Sequence, residues 1–268
     1  MVNIFRYEFK SYIKSILIWS LSIFAMIYSM MVFYPTFSSD VALIDKLISN
    51  YPEALLKAFG MSSGLSMASV LGYFSFTFAF TQLLLAVQAA NYGFSVLSVE
   101  EREFTADYLM SKPVSRHEIL SAKCVAAFLA LSLTNFLTWA AAISGIELFR
   151  NGNPYELRYI VLLLSTIVIF QMLFFTVGML VSVMLKRIRN VLSFSLAFAF
   201  GTYILNTVRA IVGGDLLGWL SPYYYFDPVY ILENGSLKTP LLFMSFVIVL
   251  VSIGTTVFLY GRRNIHSL

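Results

Sequence analysis

Charge is scarce in this chain. Asp, Glu, Lys and Arg make up only 12% of its residues, about half the roughly 25% of a soluble domain, so an ordinary soluble domain is excluded. Cysteine is nearly absent as well. A single Cys124 leaves no disulfide framework and no cysteine-based metal site. The two histidines, His117 and His266, lie far apart in sequence and outside every apolar run, as surface histidines do. No GxxxxGK[ST] phosphate loop occurs, so the chain does not bind ATP by that route. No ionisable residue interrupts the long apolar runs, which argues against an ion-coupled secondary transporter, since intramembrane ionisable groups carry such coupling. Neither an HExxH pattern nor any nucleophile–base pairing stands out, so no catalytic, cofactor-binding or metal site is expected. No basic run is long enough for nucleic acid.

What remains is apolar: 59% hydrophobic residues and a mean hydropathy of +0.80. Six uncharged runs of about 18 residues or more can each cross a ~30 Å hydrocarbon core. They lie near Ile16–Tyr34, Gly72–Leu97, Cys124–Ile146, Tyr159–Leu185, Val191–Val208 and Pro240–Gly261. The predicted fold is all-α, a polytopic membrane protein with six spans in one transmembrane domain over 1–268. The first run is long and lacks a small-residue cleavage pattern after it, so no cleavable signal peptide is expected. With both termini in the cytoplasm, 12 of the 18 basic residues fall inside, from Arg6, Lys10 and Lys14 to Arg262 and Arg263. The other six fall outside, and this excess fits the positive-inside rule.

The chain opens on Asn3–Ser15, where Arg6, Lys10 and Lys14 recur every four residues opposite Phe5, Phe9, Tyr12 and Ile13. This reads as an amphipathic interfacial helix over 1–15 that turns into the first span. In the first outside loop, Val41, Ile44, Leu47 and Ile48 predict one short helix. Pro52 near a start and Gly60 past an end predict another. Small residues stand at every fourth position of the third span, Ala122, Ala126, Ala130, Thr134, Thr138 and Ala142, and a shorter series is Ser193, Ala197 and Gly201 in the fifth. Such stripes admit a close helix, either within the chain or from a second subunit. Gln82, Gln88, Asn91, Asn135, Gln171 and Asn206 are polar positions that either line a pathway or bond helix to helix. Residues 209–239 hold Gly213, Gly214, Gly218, Trp219 and SPYYYFDP (Ser221–Pro228). Their breaks and aromatics fit a re-entrant outer hairpin or an aromatic surface loop.

The most polar stretch is 98–123, SVEEREFTADYLMSKPVSRHEILSAK, with 10 of the chain's 34 charged or His residues. Ser98 with Glu101, and Ser115 with Glu118, have capping-box spacing. Pro113 ends a helix before it. The expected arrangement is two helices meeting at a break, the first amphipathic with Phe104, Tyr108 and Leu109 on one side.

Together these residues resemble the ABC-2 type permease family, the membrane half of an ATP-driven exporter. The likeness covers essentially the whole chain. It is most specific where the family's acidic residues, Thr and LLxxPVSRxxIxxxK read here Glu100, Glu101, Glu103, Thr105, Tyr108, Leu109, Pro113, Val114, Ser115, Arg116, Ile119 and Lys123. The family commonly has Gly before the Thr, where this chain has Phe104. The resemblance implies that 98–123 is a coupling segment seated on a P-loop ATP-binding cassette subunit, with Glu101, Glu103, Phe104, Thr105, Tyr108, Leu109 and Arg116 as its contacts. It implies an outer gate at Trp219, Pro222, Tyr224, Phe226 and Pro228, and a second permease copy or a paralogue as partner. ATP would be bound by the partner subunit, so the chain itself is expected not to be an enzyme. The implied location is the inner membrane of a bacterium. A non-transporting anchor or regulator of an ATPase assembly is the alternative, and stimulated ATP hydrolysis with a candidate substrate would separate the two.

Overall fold

Long apolar sequences with few breakers dictate long helices, and a computed structural model of the chain shows them. It describes residues 2–52, 56, 61, 64–103, 115–185, 188 and 190–262. All regular structure among these is helical. Among the described residues, six helices are long and apolar enough to cross a membrane.

Helix α1 spans Val2–Met31. The expected turn between an interfacial helix and the first span is absent; one helix runs through both. Its sequence contains neither Pro nor Gly, so nothing interrupts the hydrogen-bond ladder where polarity changes. Thirty residues rise about 45 Å, more than the ~30 Å core. Short helices α2 (Tyr34–Ser39, with Pro35 in its first turn) and α3 (Val41–Ser49) follow. The latter is the helix predicted from Val41, Ile44, Leu47 and Ile48. Most of the second expected loop helix, 53–55 and 57–60, lies outside the described residues.

Helix α4 (Val70–Glu103) carries the second run. Ser98 does not begin a new helix, as its spacing to Glu101 had suggested. It sits inside α4 and its Oγ donates to the Phe94 carbonyl at 2.6 Å, the back-bond a mid-helix serine makes when no breaker precedes it. Residues 104–114 lie outside the described residues. Helix α5 (Arg116–Phe149) then starts on the capping box expected of Ser115 and Glu118: the Glu118 amide donates to Ser115 Oγ at 3.2 Å, and the Ser115 amide to Glu118 Oε2 at 2.9 Å. Asn151 and Gly152, both with positive φ, turn the chain into α6 (Leu157–Met184). Asn190 caps α7 (Val191–Val212), which stops at Gly213 with φ 79°. Three short helices, α8 (Asp215–Gly218), α9 (Pro222–Tyr225) and α10 (Pro228–Asn234), precede the last span, α11 (Thr239–Arg262).

The most enclosed spans are α4 and α6, packed on each other at the centre. Helix α1 lies along α5, α11 along α6, and α7 against α4. Every residue of the α5 small stripe is buried. Where the stripe continues at Gly145, an added methyl would meet Ile27 of α1 at 3.3 Å. That stripe therefore serves packing within the chain. On α7 the order is reversed: Ser195, Ala199 and Thr202 are buried, whereas Ser193 and Ala197 face outward and a Cβ on Gly201 would meet nothing within 4 Å.

Candidate functional site

Helix α4 is the element on which polar chemistry is threaded. In its first half, Gln82 Nε2 donates to the Phe226 carbonyl of segment 213–238 at 2.7 Å. At mid-length, Gln88 Nε2 donates to Thr134 Oγ1 of α5 at 2.9 Å, and Gln171 Nε2 of α6 reaches Gln88 Oε1 at 3.3 Å. One turn further, Tyr92 donates to Ser15 Oγ of α1 at 3.0 Å. Amide and hydroxyl groups in an apolar interior need such partners. Gln82, Gln88 and Gln171 thus bond helix to helix rather than line an open channel. Asn206 accepts from Arg209 at 3.3 Å one turn away on α7. Asn135 is buried, and its Oδ1 has no hydrogen-bond partner among the described residues.

At the end of the bundle where α1 begins, Lys123 of α5 is 2% exposed. Its Nζ donates to the Val96 carbonyl of α4 at 3.2 Å and stands 3.6 Å from Glu8 of α1. This buried ion pair joins three helices, and reading the sequence did not find it. Two signals were available: Glu8 is the only acidic residue before Asp40, and Lys123 falls in the buried series Leu120, Ala127, Ala130 and Thr134.

The coupling residues expected from the resemblance divide in three. Glu101 and Glu103 lie on the last helical turn of α4. Arg116 is the first residue of α5 and half-buried. Phe104, Thr105, Tyr108 and Leu109 lie outside the described residues.

Segment 213–238, between α7 and α11, is fastened by its side chains. Ser221 Oγ donates to the Thr202 carbonyl at 2.8 Å, Tyr223 to that of Ala199 at 3.3 Å, and Tyr225 to that of Trp219. Burial pushes the Tyr223 phenol well above its ordinary pKa, and neighbouring Tyr203 pushes it further. Phe226 is 1% exposed and meets Phe170 edge-on, with centroids 6.2 Å apart. Tyr224 is half-buried, with Arg209 4.0 Å and Lys238 3.7 Å from its ring centroid. Asp227 caps α10 through the Val229 amide, and Gly235 ends that helix at φ 60°. Pro222 and Pro228 open α9 and α10, Pro228 buried, while Trp219 is 53% exposed. Of the gate residues implied by the resemblance, Phe226 and Pro228 are packed, Pro222 and Tyr224 are half-buried, and Trp219 faces outward.

Comparison with known proteins adds one finding. The sequence model of the family described as ABC-2 family transporter protein matches residues 2–228. No curated protein and no solved structure matches.

Proposed function

The chain belongs to the ABC-2 family of transporter proteins, and on that premise we propose that it is the permease of an ATP-driven exporter, working as a pair and driven by separate ATP-binding subunits. It is a multi-pass membrane protein and a permease component of an ABC transporter. The observation that carries the reading is the family match itself, which runs unbroken through α4, the polar segment and α5.

In this proposal both termini and 104–114 face the cytoplasm, where that segment seats on the ATPase. Helix α4 supplies the lever. Its cytoplasmic end carries Glu101 and Glu103, and 21 residues earlier Gln82 holds the Phe226 carbonyl. That length spans about 32 Å. ATP-driven closure of the ATPases displaces the end of α4, and the outer segment follows through the Gln82 bond. The substrate passes between two copies, because Gln82, Gln88 and Gln171 inside one copy are spent on hydrogen bonds between its elements. The outward small-residue face of α7 supports a close second copy.

The test is co-purification of the ATPase with coupling-segment variants at matched membrane expression. Burying a large apolar side chain contributes about 1.5–3 kcal/mol, so Phe104→Asp and Leu109→Asp should each weaken association roughly 10- to 100-fold. Asp107→Lys should act less and depend on salt, as a rim charge does. Full ATPase retention and normal transport by both Asp variants would sink the proposal.

A further inference from the structure

The Glu8–Lys123 pair is one wall of a cavity of about 180 Å³ between α1, α4 and α5, completed by Ser15, Asn91, Tyr92 and Ser95 among others. We infer that this cavity is a binding site for a zwitterionic group carrying a phosphate and a primary ammonium, of the phosphoethanolamine type.

Three observations carry this. The first is charge: among the described residues, the lining holds one cation, Lys123, and one anion, Glu8. Both are largely withdrawn from water, with side-chain exposures of 3% and 17%. A guest of net charge would leave an uncompensated charge in a poorly solvated place, which is expensive. A net-neutral guest that is itself charged at both ends leaves the sum at zero, its phosphate facing the Lys123 ammonium and its ammonium facing the Glu8 carboxylate. The pair is held at 3.6 Å, longer than the 2.7–2.9 Å of a charge-assisted hydrogen bond.

The second is hydrogen-bonding capacity. Asn91 and Ser95 line the cavity, and neither makes a hydrogen bond to any described residue. Their amide and hydroxyl stand available to phosphate oxygens, one helical turn apart on α4. A primary ammonium, with three donors, also suits a carboxylate in a cavity that Ser11 and Ser15 line; a quaternary one has none to give.

The third is depth. Lys123 immediately precedes the uncharged run that starts at Cys124, and Glu8 lies between Lys10 and Arg6 before the uncharged run at Ile16. The cavity therefore sits where the spans meet the headgroup layer, whichever face that is. A lipid headgroup and a free cytosolic zwitterion share the recognised chemistry.

The test uses the full chain, purified in mild detergent and stripped of lipid. Phosphatidylethanolamine, phosphatidylcholine, phosphatidylglycerol and free phosphoethanolamine are titrated separately, with bound molecules counted by native mass spectrometry. One phosphatidylethanolamine per chain should bind at least tenfold more tightly than the other two lipids. Free phosphoethanolamine competing at similar concentration would identify the soluble source; its failure to compete would identify the lipid. Asn91→Leu, nearly isosteric, and Ser95→Leu, which fills the cavity, leave the ion pair intact, and each should abolish the preference. Glu8→Gln and Lys123→Met should each lower affinity about tenfold or more, as expected when a hydrogen bond to a charged group is lost. Equal binding of all three lipids overturns the inference, as does an undiminished preference in both α4 variants. The readout needs neither ATPase nor transport, so it stands or falls separately from the exporter reading.

Discussion

At the scale of single residues, the centre of the bundle depends on what is missing from a side chain. An added Cβ at Gly93 of α4 would collide with the Phe175 carbonyl oxygen of α6, a backbone atom that cannot rotate away. Across the same crossing, a Cβ on Gly178 would come 3.3 Å from the Ala90 carbonyl. Gly93→Ala should therefore force the two most buried spans apart and cost about 1–3 kcal/mol, the usual range for overpacking. Gly254→Ala, in open space on α11, should be neutral or slightly stabilising, because alanine is the better helix former. Thermal unfolding in detergent compares the two, and equal midpoints would show that α4 and α6 do not cross as described. Neither glycine announces this role in sequence, because a lone Gly in a long apolar run looks the same whether it faces a backbone or lipid. The Glu8–Lys123 pair was hidden for a related reason. Lys123 borders an uncharged run and Glu8 sits among the basic residues before another, so neither stands out in sequence, and only the fold brings α1 beside α5.

At the scale of elements, long apolar stretches were easy to read and their ends were not. The uncharged runs near Gly72–Leu97 and Tyr159–Leu185 became the inner helices Val70–Glu103 and Leu157–Met184. Burial in hydrocarbon needs a backbone satisfied within the segment, so composition alone dictates a helix. Local cap grammar was a weaker guide. Ser115 is a true cap because Pro113 lies just before it, whereas Ser98, with the same spacing to a Glu, has no breaker upstream and stays mid-helix. Segment 213–238 could not be resolved from its Gly and Pro punctuation, because its packing rests on contacts with distant helices. Those contacts now rank its positions. Phe226→Asp removes a buried ring from the Phe170 cluster and places a carboxylate there, so it should be the most damaging. Tyr224→Asp should be milder, since Arg209 and Lys238 already flank that ring and can neutralise the new charge. Asn234→Asp, on an exposed position, should be nearly silent. Folded yield by size-exclusion chromatography gives the order, and equal tolerance at all three positions would indicate a loosely attached surface loop.

At the scale of the whole molecule, direction through the membrane follows from the distribution of charge over the six helices. The structure leaves α4 and α6 enclosed by their neighbours, so orientation is set by the segments outside the spans. The two termini and the segments after the second and fourth spans carry 12 of the 18 basic residues, the other three loops six, and this excess should retain the first set in the cytoplasm. Cys124 is the only cysteine and is half-buried, with its sulfur 3.6 Å from that of Met179. Cys124→Ser therefore gives a cysteine-free background at little structural cost. Single cysteines at Ser39, Pro154 and Ser236, all exposed and all on the sparse side, should react with an impermeant thiol reagent in intact cells. Cysteines at Ser111 and Asn190 should react only after the membrane is opened. Asn190 caps α7, so its replacement should cost about 1 kcal/mol and leave the sidedness unchanged. The pattern discriminates sharply, because an even number of spans places 111 and 190 on the same side as both termini. Labelling of 111 from outside, with 39 protected, would invert the whole molecule and place 104–114 beyond the reach of any cytoplasmic ATPase. Labelling of 39 and 111 together would mean that α4 does not cross. Only the predicted pattern is compatible with a lever that runs from Glu103 to Gln82 across the bilayer.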